Sequence, residues 1–389
     1  MARFRFLCWL FSFALLAPLA AQAQMDTSAE HAILMDGATG AILWQKDAHA
    51  PMPPASMSKL MTLDLLFERL KDGRVKLTDT FPVSQRAWAT QGSKSFVMVG
   101  TRVPVADLIR GIIIQSGNDA CIVVAEALGG TVEGFVKMMN DRAKELGLTQ
   151  STFVNPDGLP EPPGQLMSAY DLAKLARHII TTFPQYYHFF GERSFEYNGI
   201  TQENRNLVLE KFPGADGLKT GYTDAAGYGI VTSAVQDGRR LILVLMGLRY
   251  PDKSSWWAER YRADEAARLL GVAFREFREY KLFKPDDVVA RAKVWQGAAD
   301  TVALVTGKPL ALTMQVESRK DMKVSVHYET PLKAPITKGQ KLGTLVITAP
   351  QFPMQTVPLY AGETVPEAGF FARGMQGLGV LFGTANAAQ

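Results

Sequence analysis

A serine and a lysine three residues apart, Ser56 and Lys59, stand just after two prolines and just before an apolar run with helical spacing. Pro53 and Pro54 suit a helix entry, because a fixed φ and a missing N–H cost little there. Leu60, Met61, Leu63, Leu65 and Leu66 carry the helix on, so Ser56 and Lys59 lie one above the other on its first turn. That geometry serves a hydroxyl nucleophile with an amine base. An alcohol attacks only when its proton is removed, and a lysine removes it only when neutral. Burial, or a second cation close by, lowers an amine pKa enough. The same four residues also describe a serine N-cap followed by a solvated lysine. Two further short motifs follow in order, Ser116-Gly117-Asn118 and Lys219-Thr220-Gly221. Lys219 supplies the second cation if folding brings it to Lys59.

The elements that must position these residues are written in periodicity. Residues 31–44 read as strand, glycine-bearing turn and strand. Helical spacing holds over 56–70, 105–114, 132–146 and 168–180, and over 119–128 with Asn118 or Asp119 as cap. A polar loop fills 72–100, and Asn155-Pro156-Asp157-Gly158 opens a Pro/Gly-rich loop. After Lys219-Thr220-Gly221, residues 228–235 and 241–248 read as strands around an Asp237-Gly238 hairpin turn, and 258–277 returns to helix. Strands at both ends with helices between predict an α+β domain, one antiparallel sheet packed against helices. Beyond about 285 the segments are short, rich in Val and Thr, and 323–328 alternates with period two, which predicts a small β-sandwich. Nothing in it suggests chemistry, so it reads as a spacer or contact domain.

Composition sets the setting. Arg3 and Arg5, the apolar residues 6–19 and Ala21-Gln22-Ala23 form an export signal with cleavage before Gln24, so residues 1–23 are expected to leave. Cys8 leaves with them, and Cys121 stays alone in an Ile/Val/Ala context that reads as a buried helical thiol. Five histidines without metal-ligand spacing argue against a metal site, and no cofactor is expected. The apolar fraction of 47% is that of a globular protein, and the net charge of +4, with no basic run, gives no sign of nucleic acid. About 365 residues remain, enough for two domains. In the tail, Phe371, Met375, Leu378 and Phe382 recur at helical spacing, too short to cross a bilayer but able to lie in its interface. The expected division is signal 1–23, catalytic domain 24–284, β-rich domain 285–366 and amphipathic tail 367–389.

Taken together and in this order, the three motifs resemble those of the penicillin-binding proteins and class A β-lactamases. The chain resembles specifically the low-molecular-mass penicillin-binding proteins, the D-alanyl-D-alanine carboxypeptidases of the peptidase S11 kind. The likeness includes 114–121 (Ile-Gln-Ser-Gly-Asn-Asp-Ala-Cys), 155–159 (Asn-Pro-Asp-Gly-Leu), 216–221 (Asp-Gly-Leu-Lys-Thr-Gly), the β-rich second domain and the amphipathic end. It implies a β-lactamase/transpeptidase-like catalytic domain in a periplasmic protein held to the outer face of the inner membrane by its tail. It also implies peptidoglycan pentapeptides ending in D-Ala-D-Ala as substrate and β-lactams as covalent inhibitors. By resemblance Ser56 is the acylated nucleophile, Lys59 its base, Ser116 a proton relay to the leaving amine, and Asn118 a group that orients Lys59 and the substrate amide. Lys219, Thr220 and Gly221 become the edge strand on which the peptide lies, the first two holding a terminal carboxylate. The backbone N–H groups of Ser56 and Tyr222 become the oxyanion hole, and Arg260 an additional carboxylate anchor. Some relatives carry His after Lys-Thr-Gly; this chain has Tyr222, so nothing tied to that imidazole carries over.

Competing readings are a class A β-lactamase, a transpeptidase, a DD-endopeptidase and a non-catalytic wall-binding scaffold. The first needs a Glu that activates the deacylating water, and Glu161, the sole glutamate between Thr149 and Ser168, is flanked by Pro160 and Pro162. The second is disfavoured because large relatives carry a further domain ahead of the catalytic one. The endopeptidase attacks the same carbonyl with the same site, and the scaffold conflicts with the presence of every motif residue.

Overall fold

The computed structural model describes residues 25–350 and 352–370. The expected export signal and the amphipathic stretch from 371 onward lie outside the described residues.

Five strands build the central sheet: β1 (His31–Asp36), β2 (Ile42–Lys46), β3 (Ala215–Thr223), β4 (Gly227–Gln236) and β5 (Arg239–Leu248). Their order is β2-β1-β5-β4-β3, antiparallel throughout. The sheet's first and last strands in sequence, β1 and β5, thus meet in its middle and leave β3 on an edge. Alternation along β1 and β5 divides the side chains between two cores. Ile33, Met35, Ile242, Val244 and Met246 enter one, and Ala32, Leu34, Leu241, Leu243 and Leu245 the other. Both faces being covered explains why 241–246 is an unbroken apolar run rather than an apolar/polar alternation. Each of these Ile, Leu, Val and Met side chains contributes about 1.5–3 kcal/mol by leaving water.

The larger core lies beneath α1 (Lys59–Lys71), α2 (Val105–Ile113), α3 (Asn118–Gly129), α4 (Val132–Glu145) and α5 (Ala169–Thr182). The smaller one lies beneath α6 (Ser255–Glu276), which packs Ala258, Ala263, Ala266, Leu269 and Leu270 on the sheet. At the β4–β5 hairpin Asp237 and Gly238 have φ of 50° and 74°, the left-handed pair a two-residue turn needs. Short pairs 80–82/102–104 and 194–197/200–203, unmarked in the sequence, complete this domain.

α6 runs straight into β6 (Phe277–Phe283), which pairs with β9 (Leu310–Gln315), so the second domain's sheets start about eight residues before the expected 285. The remaining strands are β7 (Val288–Trp295), β8 (Thr301–Val305), β10 (Lys323–Tyr328), β11 (Leu332–Lys333), β12 (Lys341–Ala349) and β13 (Phe352–Ala361). They form a six-stranded sheet, β10-β12-β13-β8-β7-β11, and Leu282, Leu310 and Leu312 of the smaller sheet pack on its core. This is the expected sandwich. Thr313 Oγ1 donates to Asp36 Oδ2 at 2.6 Å, tying the two domains together. Among the described residues no helix is long and apolar enough to cross a membrane.

Candidate active site

The Ser56 turn is not the start of an α-helix but a 3-10 turn, Ala55–Ser58, that feeds α1. Pro54 precedes it with no side-chain cap bond, so the Ser56 hydroxyl is not spent on capping. Ala55 has a φ of 48°, a left-handed backbone for a residue with a Cβ, costing about 1–3 kcal/mol. Such strain directly before a half-exposed serine is held by the surroundings. Lys59 follows, fully buried, with Nζ 2.8 Å from Ser56 Oγ. The same amine donates to Asn118 Oδ1 at 2.8 Å and to the carbonyl oxygen of Asp157.

Asn118 does not cap α3 either. Gly117 occupies the cap position, and the Asn118 side chain is stretched between Lys59 and the carbonyl of Gln91, to which Nδ2 donates at 2.8 Å. Gly117 is required because a Cβ there would lie 2.0 Å from Ser95 Oγ. Ser116, also buried, has a φ of 58°. Asp119 pins the facing loop by accepting from the N–H groups of Ser95 and Val97 at 2.8 and 3.2 Å.

Edge strand β3 brings in the third motif. A Cβ on Gly221 would meet Pro54 O at 3.0 Å and the Ser56 nitrogen at 3.1 Å, so glycine lets the strand lie against the serine turn. Lys219 is buried, and its amine donates to the Thr220 carbonyl at 3.0 Å. Tyr222 turns its ring outward, stacks on Tyr228 at 4.1 Å and donates to Asp224 Oδ1 at 2.7 Å; that bond pushes its phenol up to about 12.

Burial works against a proton on either amine. Burial lowers the Lys59 pKa from its ordinary value, the Arg205 cation adding to the effect against nearby acidic groups. Lys219 is lowered well below its ordinary value by burial, then by the charges of Lys59, Arg205 and Arg262. Two buried amines in one pocket do not both stay protonated. Cys121 lies in the same core, and burial pushes its thiol up to about 12, so it remains an inert neutral side chain.

Ser56, Lys59, Asn118, Lys219, Thr220 and Gly221 therefore come together, with Tyr222 at the strand's exposed end. Arg260 does not join them: its guanidinium lies over the Trp256 ring, 4.2 Å from the centroid. The arginine of α6 that turns toward Lys219 is Arg262, fully buried, donating to the Arg205 carbonyl at 3.1 Å. Two residues along a helix is about 200° of rotation, so the pair cannot share a face. Glu161 is exposed.

Sequence reading placed the loop at Asn155 but assigned it no part in the site. Asn155 Oδ1 accepts from Gly158 N at 2.7 Å, and the turn this makes aims two carbonyls at α1, Asp157 O at Lys59 and Pro156 O at Thr62 Oγ1 (2.6 Å). Its contribution is by backbone, which residue types do not announce. Arg205 was also missed; it donates to Ser93 Oγ at 2.7 Å across 112 residues of chain.

Comparison with known proteins places this architecture. A model of the D-alanyl-D-alanine carboxypeptidases, peptidase S11, matches residues 18–249, and one of the penicillin-binding protein 5 C-terminal domain matches 277–367. D-alanyl-D-alanine carboxypeptidase DacC of Escherichia coli K12 is 39% identical over 349 residues, 88% of this chain and 85% of that protein. DacF of Bacillus subtilis, another D-alanyl-D-alanine carboxypeptidase, is 35% identical over 353 residues, 89% of this chain and 88% of its own. The crystal structure of penicillin-binding protein 5 from Haemophilus influenzae superposes with a TM-score of 0.77 at 33% identity, covering 88% of this chain and 98% of that one. Penicillin-binding protein D2 of Listeria monocytogenes, in its ampicillin-bound form, gives 0.58 at 27% identity over 65% of this chain and all of its own.

The fold is thus that of the transpeptidase-like enzymes with a β-rich domain appended. The chain belongs to the D-alanyl-D-alanine carboxypeptidase family, peptidase S11, and is a hydrolase of that family.

Proposed function

We propose that this protein is a serine-type D-Ala-D-Ala carboxypeptidase that removes the terminal D-alanine from peptidoglycan pentapeptides through an acyl-enzyme on Ser56, and that penicillin acylates the same oxygen. The observation that carries this reading is the set of partners around Lys59 Nζ: two carbonyl oxygens, which only accept, and one hydroxyl. A neutral amine has two N–H donors and one lone pair. Its donors go to Asn118 and Asp157, and the lone pair faces the Ser56 hydroxyl.

Ser56 Oγ attacks the carbonyl carbon of the penultimate D-alanine as its proton passes to Lys59. The resulting ammonium has three donors for the same three partners, so the pocket serves the amine before and after transfer. The oxyanion faces the N–H groups of Ser56 and Tyr222, each such donor worth about 3 kcal/mol. Ser116 relays the proton to the departing D-alanine nitrogen, whose carboxylate rests on Lys219 and Thr220. Water then takes the reverse path, Lys59 again accepting its proton, and frees Ser56. The N-terminal signal pattern supports export to the periplasm, and the apolar spacing of 371–382 supports attachment to the outer face of the inner membrane.

Incubating the mature protein with labelled penicillin tests the acyl-enzyme: an adduct is expected, and its persistence in Ser56→Ala would remove the mechanism. D-alanine release from a pentapeptide, set against cleavage of a cross-linked dimer, then separates carboxypeptidase from endopeptidase.

A further inference from the structure

A row of aromatic rings leads away from the catalytic strand. Tyr222 stacks on Tyr228, then follow Tyr250, Tyr261, Trp257 and Trp256, each ring 4.1 to 6.1 Å from the next. Tyr228 is buried and Tyr250 half-buried, forming a floor, whereas Tyr222, Tyr261, Trp257 and Trp256 are 40–54% exposed. At the Tyr222 end of the run lies a cleft of about 340 Å³ lined by Tyr222, Asp224, Tyr228, Tyr250 and Lys253. Lys253 Nζ lies over the Tyr261 ring at 5.9 Å, and the Arg260 guanidinium lies over one face of Trp256 at 4.2 Å. Two adjacent half-exposed tryptophans in the first turn of a helix are not needed by the core, which α6 reaches through its alanines and leucines.

We infer that this run is a glycan subsite, holding the sugar rings of the polymer from which the substrate peptide hangs. The inference rests on the proposed function, because that reading sets the direction of the peptide. With the terminal carboxylate at Lys219 and Thr220 and the attacked carbonyl beside the Tyr222 N–H, the upstream peptide leaves the cleft past Tyr222 and Thr223. The sugar hangs some four residue lengths further, roughly 14 Å when extended. Three ring-to-ring steps of 4.1, 6.0 and 5.8 Å lead from Tyr222 to Tyr261, so that ring and the tryptophan beside it lie within reach of such a length of peptide. A pyranose presents C–H groups on its face and hydroxyls at its edge. The first pack on an indole or phenol face, and the second bond to cationic and polar groups such as those of Lys253 and Asp224.

A lipid surface is the other class of partner that exposed tryptophans fit, and the fold disfavours it. The Trp pair opens α6 beside the cleft, while the second domain, from which the tail departs, begins at the opposite end of this 22-residue helix, about 33 Å away.

The test uses the mature chain and two substrates, a free pentapeptide ending in D-Ala-D-Ala and the same pentapeptide borne on peptidoglycan glycan. The readout is the ratio of kcat/KM for D-alanine release, in which a general loss of fold or chemistry cancels. The glycan-borne substrate is expected to be preferred, and the double variant Trp256→Ala/Trp257→Ala to reduce that preference about tenfold, with Trp→Tyr at both positions restoring most of it. Co-sedimentation with peptide-stripped glycan reads the same subsite without catalysis, and should weaken in the alanine variant. An unchanged ratio, or a parent protein with no preference, overturns the proposal. So does loss of binding to anionic phospholipid vesicles by the alanine variant of a chain cut after Gly369, with glycan binding unaltered. A protein that forms no penicillin adduct yet sediments with glycan through the tryptophans would sink the acyl-enzyme reading and keep the subsite.

Discussion

A methyl group on Gly158 would lie 2.0 Å from the carbonyl oxygen of Ala55, and Gly158 itself has a φ of 82°. The loop that feeds a carbonyl to Lys59 is therefore in backbone contact with the strained residue that precedes the nucleophile. Gly158→Ala must push the two apart and also occupy a backbone conformation that a side chain disfavours. Acylation by labelled penicillin is expected to slow at least tenfold, with a lower Tm by differential scanning calorimetry.

Lys59→Arg separates charge from basicity. A guanidinium retains the positive charge but does not become neutral in this pH range. If Lys59 acts by accepting the Ser56 proton, the variant loses the contribution of a general base, about 10²–10⁴-fold in acylation rate. A rate within threefold of the parent, measured by stopped-flow with a fluorescent penicillin, would assign Lys59 a purely electrostatic role.

The depressed amine pKa makes a claim about pH. The competent form is neutral Lys59, whose fraction rises with pH through its pKa, so a pKa below the ordinary lysine value moves the rise of the acylation rate to lower pH. Arg205 lowers the pKa of both Lys59 and Lys219. Arg205→Gln removes a positive charge that disfavours the protonated amine. The pKa should climb and the acid limb of the acylation profile should move to higher pH. A limb that stays in place, or moves to lower pH, contradicts the charge coupling.

What was legible in the sequence followed from what periodicity and residue type encode. Apolar spacing marked the sheet strands 228–235 and 241–248 and the long helices to within a few residues, because burial dictates both. Ser56, Lys59, Asn118 and Lys219 stood out because hydroxyl, amine and amide side chains carry their chemistry openly. Asp157 and Pro156 did not, since they act through carbonyls that every residue possesses. Arg260 and Arg262 were indistinguishable on a helix of mixed polarity until the rotation of α6 showed which one is buried. At the two starts where a side-chain cap was open, Ser56 in the alternative reading and Asn118 or Asp119, the Ser56 and Asn118 side chains turn to Lys59, Asn118 donating also to the Gln91 carbonyl, instead of capping their own helices.

The second domain bears on where the enzyme works. Its chain is hydrogen-bonded in place as far as Ala368, whose N–H donates to Gln296 O at 2.9 Å. A cut after Gly369 therefore leaves the sandwich intact, and α6 separates it from the cleft. The apolar spacing of Phe371, Met375, Leu378 and Phe382 is interrupted by Gly374, Gly377 and Gly379, each costing a helix about 1 kcal/mol relative to alanine. Attachment through it should be reversible and released by truncation. Cell fractionation is expected to move the truncated protein from membrane to soluble fraction while D-alanine release from pentapeptide stays within twofold. Unchanged membrane association would locate the anchor elsewhere in the chain.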